Sequence, residues 1–268
     1  MRNQAVQATV DSSEFFFPGS RLSVLLIHGF SSTPYEMRFV GERIKEAGFR
    51  VLAPRLAGHD GPSTVLRAPA NDDWYASAVR ALEQIEAWGD PVLLIGESLG
   101  AAIAVRLAAE KPEAVAGVAL LASAFFLSPL LNLSVGLFGL LPPFFHALSL
   151  PTARPDVRDS QARAIQPRST WVSVGAVLEV GRACRFARNV LGRLSQPILA
   201  IHGRLDHTTP FEKNVNFLGR SLAVSQLRVV ALEKSFHVVA VDLEKDRVSA
   251  ELLRFAIEVC ASRVRAAG

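Results

Sequence analysis

The segment Gly96-Glu97-Ser98-Leu99-Gly100 sets a serine between two glycines, directly after the apolar run Pro91 to Ile95 and at the start of a helical pattern. A serine on such a strand-to-helix turn is presented at the carboxyl end of the strand, where its hydroxyl can attack an acyl carbon. Side chains at Gly96 or Gly100 would collide with neighbouring backbone, and Ser98 itself is expected in a strained conformation. A hydroxyl is a poor nucleophile until a base removes its proton, so the chemistry requires a histidine and a group to orient it.

The chain offers six histidines. The order that accompanies a strand-turn-helix serine is Ser, then Asp or Glu, then His. His28, His59 and His146 lie outside the segments this order uses, and His202 and His207 flank the candidate acid. His237, in Ser235-Phe236-His237-Val238-Val239, remains, on a loop between the last strand and the final helix. Asp206 follows the strand Pro197 to Ile201 and can reach such a loop from the strand's end, where it would accept the Nδ1–H of His237. Its other reading is an Asx turn or a cap for the helix after Pro210. Asp242 is too near His237 in sequence and reads as a cap of the last helix. The spacing of His202, Asp206 and His207 fits no zinc pattern, and the chemistry needs no cofactor.

A tetrahedral oxyanion needs two preset N–H groups. One should come from Leu99, the residue after the serine. The other should come from the loop after an early strand, where His28-Gly29-Phe30 turns away from Leu22 to Ile27, and Phe30 is its expected source.

The elements that must position these groups alternate. Leu22 to His28 reads as a strand. Ser32-Thr33-Pro34 opens a helix that runs to about Ala47, and Phe49 to Ala53 is the next strand. Asn71-Asp72-Asp73 should cap a helix over Trp74 to Trp88, followed by the strand Pro91 to Ile95, a helix over Leu99 to Glu110 and the strand Ala114 to Ala122. The alternation lapses for about 70 residues and resumes with the strand Pro197 to Ile201, a helix after Pro210, a strand over Leu227 to Leu232 and a helix over Leu243 to Arg263. The pattern is that of an α/β protein with a parallel sheet covered on both faces.

Composition excludes several classes. With 268 residues, 50% hydrophobic and 20% charged, the chain is neither disordered nor fibrous. Its net charge of +4 is not gathered into the runs of a nucleic-acid-binding tail, so no nucleic-acid partner is expected. Cys184 and Cys260 form neither a disulfide framework nor a metal motif and read as small core residues. No apolar run follows Arg2 near the N-terminus, which points to a cytoplasmic protein. Ala114 to Ala153 lacks formal charge, but Pro129, Gly136, Gly139, Pro142 and Pro143 break it before a membrane span accumulates.

With these segments in view, the sequence resembles the α/β-hydrolase superfamily, and within it the small bacterial carboxylesterases and monoacylglycerol lipases. The resemblance rests on His28-Gly29-Phe30-Ser31-Ser32-Thr33-Pro34, on the Ser98 pentapeptide, on Gly203-Arg204-Leu205-Asp206-His207 and on Ser235-Phe236-His237-Val238-Val239-Ala240-Val241-Asp242. It departs at Phe236 and Ala101, where the subgroup usually has glycine, and both changes are expected to narrow the pocket. The resemblance implies a hydrolase core over residues 1–123 and 196–268. It also implies a small helical cap over 124–195, inserted after the sixth strand of the superfamily sheet. Phe125, Phe126, Phe138, Phe144 and Phe145 of that insertion would line an acyl pocket. Residues 151–195 hold eight Arg against Asp156, Asp159 and Glu179, and such a basic, apolar cap also suits weak contact with an anionic lipid surface. Glu97 should point away from Ser98 and make a structural hydrogen bond.

The expected activity is hydrolysis of a small-molecule carboxylic ester with an apolar acyl chain through an acyl-enzyme. Thioesterase, amidase, C–C hydrolase and acyltransferase chemistry use the same three residues, and a non-catalytic receptor of the same fold is a rival of another class.

Overall fold

Strand burial alternates between two hydrophobic layers. Leu25 and Ile27 face one core cluster, while Val24 and Leu26, from the same strand, face the other. A strand whose side chains point alternately to two buried faces must lie inside a sheet covered on both sides. The structure, a computed structural model, describes residues 10–61, 65–67 and 72–267, with side chains as far as residue 262. Asn71 and the first nine residues fall outside that range.

The chain enters through β1 (Phe15–Phe17) and β2 (Ser23–Ile27), forms α1 (Tyr35–Glu46) and returns as β3 (Arg50–Ala53). After the two-residue β4 (Val65–Leu66) come α2 (Asp73–Glu86), β5 (Val92–Glu97), α3 (Leu99–Glu110) and β6 (Val115–Leu121). Between β6 and the next strand of the main sheet lie α4 (Pro129–Phe138), β7 (Ser149–Pro151), α5 (Ser160–Ile165), β8 (Trp171–Ser173) and α6 (Val174–Val190). The chain ends with β9 (Ile198–Gly203), α7 (Phe211–Ser221), β10 (Leu227–Leu232) and α8 (Lys245–Ala267).

The main sheet runs β1-β3-β2-β5-β6-β9-β10, with only β1 antiparallel. α2, α3 and α6 cover one face and α1 and α8 the other. Ile27 pairs with Gly96, Glu97 with Leu121, Leu121 with Ile201, and Gly203 with Leu232. Parallel register therefore brings the carboxyl ends of β2, β5, β9 and β10 to one edge of the sheet, where ligands of open α/β sheets bind.

The insertion does not sit wholly outside this core. Ala176, Val180, Cys184 and Ala187 of α6 belong to the same buried cluster as Ala101, Ala104, Val105 and Ala108 of α3. A second sheet, β4-β8-β7, joins the insertion to residues 65–66. Burial pushes the Cys184 thiol up to about 12, so it remains a protonated core side chain.

Two expected caps differ. Asp72 is the residue before α2, but at φ +63° its carboxylate bonds no helix N–H and instead takes Arg106 Nη1 at 3.0 Å. α1 begins at Tyr35, and neither hydroxyl of Ser32-Thr33 caps it. Among the described residues, no helix is long and apolar enough to cross a membrane.

Candidate active site

Ser98 stands between β5 and α3 at φ +56° and ψ −111°, a region L-residues rarely occupy. The turn admits no side chain at its glycines: a Cβ at Gly96 would lie 2.2 Å from the Gly100 carbonyl oxygen, and one at Gly100 would lie 2.0 Å from that of Ile27. The Ser98 N–H donates to Leu121 O at 2.9 Å, which fixes the turn to β6. Ala101, in place of a glycine, is buried in the core, and neither it nor Phe236 lines the cavity over Ser98. Phe236 instead packs edge-on against His207, so the expected narrowing does not occur.

The structure brings Ser98, His237 and Asp206 together. His237 Nε2 lies 2.9 Å from Ser98 Oγ, and His237 Nδ1 lies 2.8 Å from Asp206 Oδ2. Asp206 is held by more than His237. Its Oδ1 accepts the N–H groups of Thr208 and Thr209 at 2.8 and 2.7 Å, and its Oδ2 accepts the Thr209 hydroxyl at 2.8 Å. The Asx-turn reading and the relay reading therefore describe the same side chain. His202 Nε2 lies 2.8 Å from the Thr209 carbonyl and 3.1 Å from Asp206 Oδ2, so it carries the proton. Burial alone would raise the Asp206 pKa, but the His237 charge and these hydrogen bonds outweigh it and hold the carboxyl far below its usual range. Burial works against charging His237, yet the facing Asp206 carboxylate prevails and raises its pKa above the ordinary 6.5.

The loop after β2 supplies Phe30. His28 is fully buried; its Nδ1 meets the Gly29 carbonyl at 2.9 Å, so it donates there, and its Nε2 accepts the Leu56 N–H at 3.1 Å. Burial, reinforced by His59, keeps His28 well below its ordinary pKa and hence neutral, as this pair of bonds requires. Glu36, in the first turn of α1, accepts the Gly29 N–H. Within the described residues, the N–H groups of Phe30 and Leu99 make no hydrogen bond to the protein.

A cavity of about 430 Å³ opens over Ser98. Its lining is mostly apolar, including Leu127, Leu131, Val135, Phe138 and Val177, with Gln166, Arg168 and Thr152 among the polar residues. Of the five phenylalanines expected there, only Phe138 lines it. Phe125 is fully buried against Phe217, and Phe126 packs edge-on to the same ring, because Asn214 Oδ1 takes both of their N–H groups and turns this stretch into the core. Phe144 and Phe145 stack on each other away from the cavity, with Phe144 73% exposed.

Several residues of the site carry no local signal in the sequence. Asp242 does not cap α8 with its side chain; buried, it accepts the N–H groups of Arg158, Asp159, Phe236 and Leu243, joining the His237 loop to the insertion. Asp156 accepts His207 N–H, His207 Nδ1 and the Thr208 hydroxyl. Glu97 bonds Ala240 N–H through Oε1, while burial and then Glu36 push its pKa well up. The Glu97 bond is the structural hydrogen bond expected of that residue, whereas the contacts of Asp242 could be found only by knowing which backbones approach it. His207 turns to Asp156 and does not join His202 and Asp206. Among the described residues, no group of three His, Cys, Asp or Glu is arranged to hold a metal.

The family model described as Hydrolase_4, serine aminopeptidase S33, matches residues 19–244. The chain belongs to this S33 family. The S33 chain is 24% identical over 241 residues to a thermostable monoacylglycerol lipase of Bacillus sp. strain H-257, covering 90% of this chain and 92% of that one. It is 22% identical over 249 residues to a carboxylesterase of Bacillus subtilis strain 168, covering 92% and 96%. A solved structure from work on LipS and LipT, two metagenome-derived lipolytic enzymes, matches at a TM-score of 0.82 and 28% identity over 92% of this chain and 98% of that one. The monoacylglycerol lipase of Paleococcus ferrophilus matches at 0.77 and 19%, over 93% and 99%, and shares the fold. The S33 chain thus has the α/β-hydrolase fold, a mostly parallel sheet flanked by helices.

Proposed function

We propose that this chain hydrolyses carboxylic esters with an apolar acyl chain, through an acyl-enzyme on Ser98. The observation that carries the reading is the continuous path from Ser98 Oγ through His237 to Asp206, at 2.9 and 2.8 Å. In this mechanism His237 Nε2 takes the Ser98 proton as Oγ attacks the ester carbonyl, and the N–H groups of Phe30 and Leu99 receive the oxyanion. Asp206 fixes the imidazole tautomer and stabilises the imidazolium. The proton then passes to the leaving alkoxide. A water activated by the same imidazole releases the acid.

The cavity lining supports an apolar acyl group, and the relatives named lipase and carboxylesterase support an ester over an amide. A narrower reading, an ester of a polyol such as glycerol, draws on the buried Gln166 Oε1 and Arg168 Nε. Both atoms lack a hydrogen-bond partner in the described protein, and both belong to cavity-lining residues. Hydroxyls that donate and accept would satisfy both.

The segment from 124 to 195 acts as the cap in this reading. Its helix α4, which carries no formal charge, turns Leu131, Val135 and Phe138 to the cavity while Leu130, Leu133 and Leu137 are exposed, which suits weak contact with a lipid aggregate that delivers substrate.

The test is Ser98→Ala. Turnover of a p-nitrophenyl ester should fall by at least about 1,000-fold with the circular dichroism spectrum unchanged, and a fluorophosphonate probe should label the wild type at Ser98 alone. Undiminished hydrolysis by the variant, or an unlabelled Ser98 in folded wild type, overturns the reading.

A further inference from the structure

We infer that Glu36 is a positioning residue of the oxyanion site, holding the Phe30 N–H toward Ser98 and tying that alignment to Gln166 in the inserted segment. The inference rests on Ser98 being the acyl-enzyme nucleophile.

Gly29 belongs to two peptide planes, and each is restrained from a different side. The N–H of the first is taken by Glu36 Oε1. The carbonyl of the second is taken by His28 Nδ1 at 2.9 Å. In a trans peptide the carbonyl and the following N–H point in opposite directions, so fixing Gly29 O on one side turns the Phe30 N–H to the other. The Gly29 carbonyl also accepts the Ser32 N–H at 3.4 Å, and the preceding plane, whose carbonyl His28 O lies against Gly100, is held at its N–H by Glu36. A Cβ at Gly29 would meet Glu36 Oε1 at 3.2 Å and Ser98 Cβ at 3.4 Å, so the loop lies between the carboxylate and the nucleophile with little room to spare.

Glu36 is itself anchored. It is 2% exposed, and its Oε2 accepts Gln166 Nε2 at 3.3 Å. The same strand of chain laces the next residue of the loop: Arg168 Nη2 donates to Ser31 Oγ at 2.9 Å, and Ser169 N–H donates to Ser31 O at 2.8 Å. Residues 29–31 are therefore clasped between α1 and residues 166–169. Oxyanion donors act through being fixed before charge develops, so a displaced clasp should weaken the transition state more than the bound substrate.

The experiment compares Glu36→Ala, Glu36→Gln and Gln166→Ala in the full chain. It reads kcat and KM for p-nitrophenyl butyrate and the inhibition constant of butylboronic acid, whose tetrahedral serine adduct loads the oxyanion donors. Active-site concentration is taken from fluorophosphonate titration. Glu36→Ala should lower kcat by roughly 10- to 100-fold, leave KM within about threefold and weaken the boronate by the same factor as kcat. Glu36→Gln should recover most of both, because its amide oxygen still accepts the Gly29 N–H and Gln166 can turn its own oxygen to the new NH2 group. Gln166→Ala should show the same split at roughly threefold. A role in stability alone would lower Tm and the titrated active fraction without moving the boronate constant.

Wild-type kcat and boronate affinity in Glu36→Ala, or equal impairment in Glu36→Gln and Glu36→Ala, overturns the inference. If Glu36→Ala does not fold, wild-type values of both in Gln166→Ala overturn it instead. A wild type that the fluorophosphonate fails to label defeats the Ser98 reading, whereas a labelled, active wild type with insensitive variants defeats only the role of Glu36.

Discussion

The carbonyl oxygen of Asp156 accepts the backbone N–H of His237 at 3.0 Å, and that of Val238 at 3.2 Å. The loop carrying the imidazole thus hangs from the insertion by main-chain bonds, while the Asp156 carboxylate holds His207 and Thr208 beside Asp206. One residue spans the acid loop and the base loop. Because its two functions use different atoms, they can be separated by mutation.

Asp156→Ala should therefore keep the His237 loop in place and loosen residues 206–209. The lost hydrogen bonds to a partly buried carboxylate are worth about 1–3 kcal/mol, which should lower Tm by several degrees. Ester turnover should fall only a few-fold. Thermal melts and steady-state kinetics of the one variant check both; an unchanged Tm would show that the carboxylate holds nothing.

The pH profile of kcat/KM should have an acid limb set by His237, which must be neutral to take the Ser98 proton. Its pKa is raised from 6.5 by the Asp206 carboxylate against the effect of burial, so the half-maximal point should lie above 6.5. Asp206→Asn removes the raising charge; the limb should move to lower pH while kcat falls by roughly 10⁴-fold. For stability the sign is opposite: a raised histidine pKa contributes fully below the unfolded value, and that contribution fades as pH climbs through the folded one. A rate profile flat from pH 5 to 8 would count against His237 as the base.

Two glycine substitutions should diverge. Gly100→Ala drives a Cβ to within 2.0 Å of the Ile27 oxygen, against main-chain atoms of Ile27 and His28 that cannot move aside, and should cost more than about 4 kcal/mol and leave little folded protein. Gly136→Ala on α4 meets nothing within 4 Å and should add about 0.5–1 kcal/mol through helix propensity. Denaturant midpoints of the two variants against wild type decide the matter.

Leu133→Glu and Leu137→Glu on α4 lie outside the cavity lining and are 58% and 55% exposed in the parent chain. They should leave hydrolysis of a dissolved short-chain ester unchanged and reduce co-sedimentation with anionic phospholipid vesicles. Wild-type protein that fails to sediment with such vesicles at low salt would remove the lipid-contact reading.

Much of the main sheet is legible in the sequence because its elements are set by local pattern. α3 spans Leu99–Glu110 as the stop before Pro112 indicates, and β10 spans Leu227–Leu232. The spatial meeting of Ser98, Asp206 and His237 follows from parallel register once each residue is placed after a strand. What stays hidden depends on long-range partners. β4, β7 and β8 are two or three residues long, and their pairing is decided by neighbours far away in the chain. Phe125 and Phe126 look like their neighbour Phe138 in an uncharged run, and Asn214, nearly 90 residues later, turns them inward together with Arg188 on the Phe125 carbonyl. Asp242 stands where a helix cap belongs, yet the approach of residues 158 and 159 recruits its carboxylate.

The sharing of α6 with α3 bears on attempts to trade lids between relatives. A graft cut at residues 124 and 195 would strip Ala101, Ala104 and Ala108 of their cover and leave β4 without its partner strand unless the incoming segment brought a matching helix and strand. An exchange confined to α4 keeps both seams closed and leaves Asp156 and residues 166–169 against the loops of His237 and Gly29, so substrate range can then be retuned without reopening the foundation beneath it.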